Sequence, residues 1–337
     1  MQSAQTAPLL SVSISPHIRS AETTARIIWT VNACLAPAAI MGAWYFGIKA
    51  IFTMMLCIGA SVGSEYLYQK LLKKKITIGD GSAFLTGLLL ALNLPPQVPW
   101  YLSVLGSVVA ILLAKQLFGG LGYTIFNPAL LGRAFLLISF PKLLTSWNAP
   151  TAALTGVDTV TCATPLNILK LEGFDKLIET FGGQGSLYLH LLTGNRAGCI
   201  GETCIIALLA GGLFLLFRGY ITWHIPTAYL GTVMLIAWMC GGDGGLFTGD
   251  PLLHFLSGGI VLGAFFMATD YVTSPSTKPG KLLFGAGCGL ITMLIRLKGG
   301  YPEGCMFSIL IMNCFAPLID RGFRSKVFGA PRGRKKQ

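Results

Sequence analysis

The sequence has 337 residues, 53% of them hydrophobic and only 11% charged, with a formal net charge of +12 and a mean hydropathy of +0.67. Soluble domains carry roughly 25% charged residues, so a water-soluble fold is excluded for most of this chain. The basic residues fall in short segments between apolar runs and in the tail PRGRKKQ, 331–337, which is the placement of topology determinants rather than of a phosphate groove, and nucleic acid is excluded as a partner.

The first 25 residues are polar and lack the basic, apolar, small-residue order of a signal peptide. After them, windows such as 198–217, 225–241, 252–269 and 282–297 come near the about 20 apolar residues that cross the hydrocarbon. Helices are predicted at 26–47, 49–71, 81–94, 98–117, 122–140, 198–217, 223–241, 252–270, 281–297 and 303–320. Pro37, Pro128 and Pro317 fall inside these spans, where membrane helices tolerate proline. The predicted fold class is therefore all-α: a polytopic membrane helix bundle of about ten transmembrane helices.

Ten crossings put both termini on one side, and the basic residues choose the cytoplasm. Arg19, Lys70, Lys73, Lys74, Lys75, Lys115, Arg218, Lys278 and Lys281, with the tail from Arg321, then face inward. Among the short outer loops only Arg296 and Lys298 are basic. The organisation reads as a cytoplasmic segment 1–25, a membrane unit 26–140, an extracytoplasmic loop 141–197, a second membrane unit 198–320 and a basic tail 321–337.

The two membrane units are related by a repeat at an offset near 180 residues. GSAFLTGLLLALNLPP and YLSVLGSVVAILLAKQLFGGLGYTIFNPALLGRAF answer LSGGIVLGAFFMATDYVTSPS and KLLFGAGCGLITMLIRLKGGYPEGCMFSILIMNCF, with Gly119-Gly120 against Gly299-Gly300. Five spans per unit make this an inverted repeat, five plus five, a plan common among transporters. Chance similarity between apolar, glycine-rich segments is the competing reading. The spacing Gly285–Gly289 reads first as helix packing.

Chemistry-bearing residues are sparse. The nine cysteines form no CxxC or Cys/His metal spacing, and most lie in apolar windows, so neither a metal nor an iron–sulfur site is expected within this chain. His17, His190, His224 and His254 are widely separated. No HExxH, GxSxG, P-loop or GxGxxG stands in a suitable context, so no catalytic residue is assigned. Glu65, Arg133, Glu202 and Asp270 are the charges nearest span interiors, where ionisable groups are costly and usually functional. The outer loop offers VDTVTCATPLNILK, 157–170, in which Thr164 reads as an N-cap and Pro165 as the first helical residue. The positive end of such a helix also suits a phosphate.

Four stretches make the chain resemble the NqrB/RnfD family, the D-type subunits of Rnf ion-translocating electron-transport complexes. They are SPHIRSAETTARIIWTVNACLAPA (15–38), GYTIFNPALLGRAFL (122–136), TCATP (161–165) and DPLLHFLSGGIVLGAFFMATDYVTSPSTKPGKLLFG (250–285), closed by NCFAPLIDR (313–321). The resemblance implies FMN joined through its phosphate to Thr164, within an attachment motif of Thr161, Cys162, Ala163, Thr164 and Pro165. Cys162 stands where the family has glycine. The resemblance also implies a second, non-covalent flavin, riboflavin, in the membrane part. Asn127, Thr269, Asp270, Thr273 and Ser274 are its candidate contacts, although each alone reads as a cap or turn former.

The implied function is that of a flavoprotein subunit in the cell's inner membrane, passing electrons between reduced ferredoxin and NAD and coupled to sodium or proton movement. It is not catalytic alone. Its implied partners are the other subunits, which hold ferredoxin and NAD, a flavin-attaching transferase and the lipid bilayer. The alternative is a secondary transporter or channel-like protein on the same repeat without a redox cofactor. A scaffold that only anchors partners is a third possibility.

Overall fold

Backbone groups in hydrocarbon have no water to bond, so a chain of this composition must satisfy them within helices. The computed structural model describes residues 22–147, 150, 162–241 and 245–324, and among these every regular element is helical. In chain order they are α1 (Thr24–Phe46), α2 (Ile48–Leu71), α3 (Ser82–Leu92), α4 (Trp100–Ile111), α5 (Pro128–Ser139), α6 (Pro141–Leu144), α7 (Pro165–Glu172), α8 (Phe174–Thr180), α9 (Gln184–Thr193), α10 (Ile205–Phe217), α11 (His224–Cys240), α12 (Pro251–Leu256), α13 (Ile260–Leu262), α14 (Lys278–Lys298) and α15 (Cys305–Gly322). A π-helical turn, Leu112–Gln116, extends α4, and another, Gly263–Met267, extends α13.

Four helices, α1, α2, α14 and α15, are long and apolar enough to cross a membrane. Their outward faces keep large apolar side chains such as Ile48, Phe52, Met55, Leu294 and Leu318 exposed. An apolar surface of that extent is a lipid-facing belt rather than a water-facing one. The chain is a multi-pass membrane protein.

Several boundaries differ from the sequence expectation. The predicted helix 122–140 starts only at Pro128, because Asn127 caps it by accepting from the Ala129 and Leu130 N–H groups. Pro128 is therefore a first-turn proline, whereas Pro37 and Pro317 do lie inside α1 and α15. The predicted helix 198–217 starts at Ile205, after a 3-10 turn at Ile200–Glu202. The predicted span 252–270 is broken between α12 and α13, where Gly258 takes a φ of +72° beside the Glu303 carboxylate and the Arg296 guanidinium. A side chain at position 258 would both strain the backbone and meet those groups. Its apolar composition conceals the break. At about 1.5 Å per residue, α3 spans only about 17 Å, half the hydrocarbon.

Packing order recurs along the chain. α2 packs on α3 and α4, and α4 on α5; α11 packs on α12 and α14, and α14 on α15, with α1 against α10. The approach of α14 to α11 needs glycine. A Cβ at Gly285 would come within 2.7 Å of the Ile225 carbonyl, and one at Gly289 within 2.8 Å of the Tyr229 carbonyl. The Gly285–Gly289 spacing is thus the α11–α14 contact surface.

Two ends are defined by contacts. Trp29 Nε1 donates to the Gly79 carbonyl at 3.4 Å, the Tyr220 hydroxyl to Glu22 at 2.8 Å, and the Ser276 N–H to Asp320 at 3.1 Å. This end gathers Lys70, Lys73, Lys74, Arg218, Lys278 and Arg321. At the other end the Ile200 N–H donates to the Leu94 carbonyl at 3.1 Å, and α7, α8 and α9 cover the bundle.

Two basic residues are not where the sequence places them. Lys115, expected in a cytoplasmic segment, is buried in the π turn after α4. Its ammonium donates to Glu65 and to the Ser82 hydroxyl, each at 2.6 Å, and Gln116 donates to Glu65 at 2.9 Å. Arg296, expected in a short outer loop, lies within α14 and is only 4% exposed.

Candidate functional site

The segment expected to carry the chemistry enters the structure at Cys162, because Thr161 lies outside the described residues, as do His17 and Arg19. Cys162 and Ala163 are exposed, and the Cys162 N–H donates to the Trp147 carbonyl at 2.9 Å. Thr164 is the N-cap of α7, with an extended backbone, and Pro165 occupies the first turn. Threonine suits the cap because its Oγ1 accepts from the Asn167 N–H, here at 3.3 Å. Proline follows because its missing N–H would be unpaired at that place in any helix. The capping contact uses a lone pair of Oγ1 and leaves the O–H free to be replaced.

Thr164 is buried in a recess bounded by Trp147, Arg196, Glu202, Gly258, Pro302 and Glu303. Beneath it lies a dense ionic cluster. Arg133, from α5, donates to Asn93 Oδ1 at 2.8 Å and to Cys199 Sγ at 3.3 Å, and stands 3.7 Å from the Glu303 carboxylate. Arg196 donates to the carbonyls of Leu256 (2.8 Å) and Glu202 (3.0 Å). Arg296 donates to the carbonyls of His254 and Ser257, both at 2.8 Å. The Gly259 N–H donates to Glu303. Two arginines thus hold the free carbonyls at the end of α12, where the helix dipole is negative.

Donor atoms of Cys199, Glu202 and Glu303 lie within 4.8 Å of one another, a spacing a metal could bridge. Arg133 donates to the Cys199 thiol and is the counter-charge of Glu303. Arg196 and Arg296 spend their bonds on backbone carbonyls, and Glu202 Oε1 is buried with no partner among the described residues.

Outside the spans, burial lowers the Lys170 ammonium below its usual pKa. Burial, aided by a hydrogen bond to Asp250, raises the Tyr188 phenol. Lys170 donates to the carbonyls of Gly299 and Tyr301 and so ties α7 to the α14–α15 turn.

A second feature lies toward the basic end: a cavity of about 480 Å³ between α1, α3, α5 and the π turn after α13. Leu85, Leu89, Phe265 and Phe266 give it apolar walls, and Ser82 and Lys115 are polar points on them. Asn127, Thr269 and Asp270, three of the residues singled out in the sequence, also line it. Each has a local duty as well. Asn127 caps α5 and donates to the Met267 carbonyl at 3.3 Å, and Thr269 donates to the Phe265 carbonyl at 2.6 Å. Asp270 accepts from the Thr273 hydroxyl at 3.3 Å, while the Ser274 hydroxyl donates to the Asp270 carbonyl at 2.6 Å. Thr273 and Ser274 thus close the turn behind the cavity. A pocket this size with few polar points is typical of a small-molecule or cofactor site.

Sequence reasoning did not find Arg196, Arg296 or Glu303, nor the pairing of Glu65 with Lys115. Lys115 lies 50 residues from its partner, on another helix. The only available signal was the presence of charge in apolar sequence, which marked Glu65, Arg133 and Glu202 but not their partners.

Residues 11–329 match the model of the NQR2, RnfD, RnfE family. The chain is 52% identical to the D-type subunit of the proton-translocating ferredoxin:NAD(+) oxidoreductase complex of Clostridium ljungdahlii, over 96% of this chain and 97% of that protein. It is 48% identical to the D-type subunit of the Na(+)-translocating ferredoxin:NAD(+) oxidoreductase complex of Acetobacterium woodii, over 97% of both. It is 37% identical to the D-type subunit of the ion-translocating oxidoreductase complex of Cronobacter sakazakii, over 94% of this chain and 98% of the relative.

Proposed function

The chain belongs to the NQR2, RnfD, RnfE family, and on that premise we propose that it is the D-type member of an ion-translocating ferredoxin:NAD oxidoreductase complex, carrying FMN esterified to Thr164. The observation that supports the flavin is the position of the Thr164 hydroxyl. It heads α7 in the motif TCATP, and its O–H has no acceptor among the described residues. A phosphate there lies at the positive end of a helix dipole. Bound FMN supplies electron transfer, while the protein supplies position and electrostatic setting. Attachment forms a bond from Thr164 Oγ1 to the FMN phosphorus and breaks the phosphoanhydride of an activated donor, a flavin dinucleotide, whose nucleoside monophosphate leaves with the threonine proton; a dedicated transferase catalyses it, and the chain gains FMN less one water. Cys162, small and exposed in place of the family glycine, leaves room for that enzyme.

The cavity lined by Asn127, Thr269 and Asp270 is our proposed place for the second, non-covalent riboflavin. Its apolar walls suit a flat heterocycle, and its polar points suit the ring's carbonyl edge. Ferredoxin and NAD are assigned to partner subunits, since no dinucleotide fingerprint occurs in this sequence.

We place the basic end in the cytoplasm and Thr164 on the outer side of the inner membrane. The repeated packing order supports ten crossings as two inverted units of five. In a Cys240→Ser/Cys314→Ser background, which removes the other exposed thiols, an impermeant thiol reagent added to intact cells is expected to label Cys162 and not a further Cys162→Ser variant. Labelling that requires permeabilised cells would place the Thr164 end inside and overturn the orientation.

The broken helices at α3 and at α12–α13 are also what a flavin-free secondary transporter would have. Colour separates the two readings. Protein produced with its flavin-attaching enzyme is expected to keep the flavin's blue absorbance on the polypeptide after denaturation. A colourless denatured chain would favour the transporter.

A further inference from the structure

The recess around Thr164 is too small for a whole flavin, but it adjoins a larger space. An open cavity of about 380 Å³ lies between α7–α8, residues 248–254 and the end of α14. Leu166 and Pro302 line both the recess and this cavity, so the two meet along the first turn of α7. Its apolar lining comes from Leu166, Leu169, Phe174, Leu253 and Leu297. Lys170, Asp175, Asp250, His254 and Arg296 are the charged and polar side chains interleaved with them on the same elements.

One cation on this lining has hydrogen-bonding capacity to spare. The Lys170 ammonium has three N–H groups and spends two on the Gly299 and Tyr301 carbonyls. Arg296 Nε and His254 Nδ1 have no partner among the described residues, but both atoms are sealed from the cavity, so Lys170 is the donor that a bound molecule meets.

We infer that this cavity seats the planar ring of the flavin carried by Thr164. The inference rests on the covalent-flavin reading above and adds the ring's location and orientation. Lys170 lies six residues beyond Thr164, about 9 Å along α7 at helical rise. A phosphate and the five-carbon ribityl chain cover that span. The ring's dimethylbenzene edge matches the leucine side chains of the lining. Its pyrimidine edge, with two carbonyls and acceptor nitrogens, matches Lys170, and Asp175 at the rim is an acceptor for the imide N–H. Positive charge beside that edge favours the reduced, negatively charged ring, so Lys170 holds the potential of the tethered flavin up.

The test uses the assembled complex, produced with the flavin-attaching enzyme, with Lys170→Met, Lys170→Arg and Leu169→Trp variants. Subtracting the spectrum of the Thr164→Val complex isolates the tethered flavin, and the mass of the Thr164 peptide reports attachment. With attachment intact, Leu169→Trp is expected to raise iodide quenching of this flavin several-fold by displacing the ring into solvent. Lys170→Met is expected to lower its midpoint potential, and Lys170→Arg to restore it. An attached flavin whose quenching and potential match the parent in both Leu169→Trp and Lys170→Met overturns the docking and leaves the covalent reading standing. A Thr164 peptide that carries no flavin in the parent complex overturns the covalent reading and the docking together.

Discussion

Replacing Thr164 with valine is expected to give a membrane-inserted chain with no covalent flavin, while Thr164→Ser retains it. Valine keeps the shape of threonine and removes the only oxygen on which the ester can form. The structural cost of the change is modest. Losing an N-cap hydroxyl costs about 1 kcal/mol, and Pro165 still presets the first turn of α7. Such a loss leaves a multi-helix bundle folded. Disappearance of in-gel flavin fluorescence from a band of normal intensity then reports chemistry rather than misfolding. Fluorescence that persists in the denatured valine variant would place the attachment elsewhere.

Lys115→Met is expected to be the most damaging single change in the first membrane unit. Lys115 and Glu65 are 2% and 1% exposed at the side chain and 2.6 Å apart. Removing one partner of a buried pair leaves an uncompensated charge and costs about 3–5 kcal/mol. The remaining contacts of Glu65, from Gln69 at 3.1 Å and Gln116 at 2.9 Å, are amide donors and do not neutralise it. The double variant Lys115→Met/Glu65→Gln removes both charges and keeps the amide contacts, so most of the loss is expected to be recovered. Detergent-solubilised yield and thermal melting of the two variants check this. A double variant no more stable than Lys115→Met alone would show that Lys115 acts through packing or the Ser82 contact rather than through the ion pair.

The parts of the fold that were legible in the sequence are those set by local chemistry. α1 and α2 follow from long apolar runs, with Thr23 accepting from the Arg26 N–H at the start of α1. Thr164-Pro165 announced the start of α7 because capping chemistry is local. The window 252–270 failed for the opposite reason. Its composition is continuous with a span, and only the distant Glu303 and Arg296 show why Gly258 breaks it. The start at 122–127 failed because the span was carried through Asn127, although that residue alone reads as a cap, and Pro128 was taken as span interior when it forms the first turn.

At the candidate site, sequence supplied Thr164 through a motif, and it supplied Asn127, Thr269 and Asp270 through their polarity at helix ends. The structure brings the last three to one cavity. Sequence could not supply Lys115 as a buried cation, because a basic residue near a predicted helix end reads as a topology signal whichever way it points. Nor could it supply Arg196 and Arg296, whose partners are carbonyls at the end of a helix that the sequence did not show to end. The groups that define an intramembrane site are paired across the bundle, and such pairing leaves no local spacing to read.

The central claim concerns one oxygen atom, and mass analysis of the peptide containing Thr164 tests it most directly. In protein isolated from cells that make the whole complex, that peptide is predicted to carry the added mass of FMN less one water, with fragment ions assigning it to Thr164. An unmodified Thr164 peptide from a complex active in ferredoxin-to-NAD electron transfer would contradict the account.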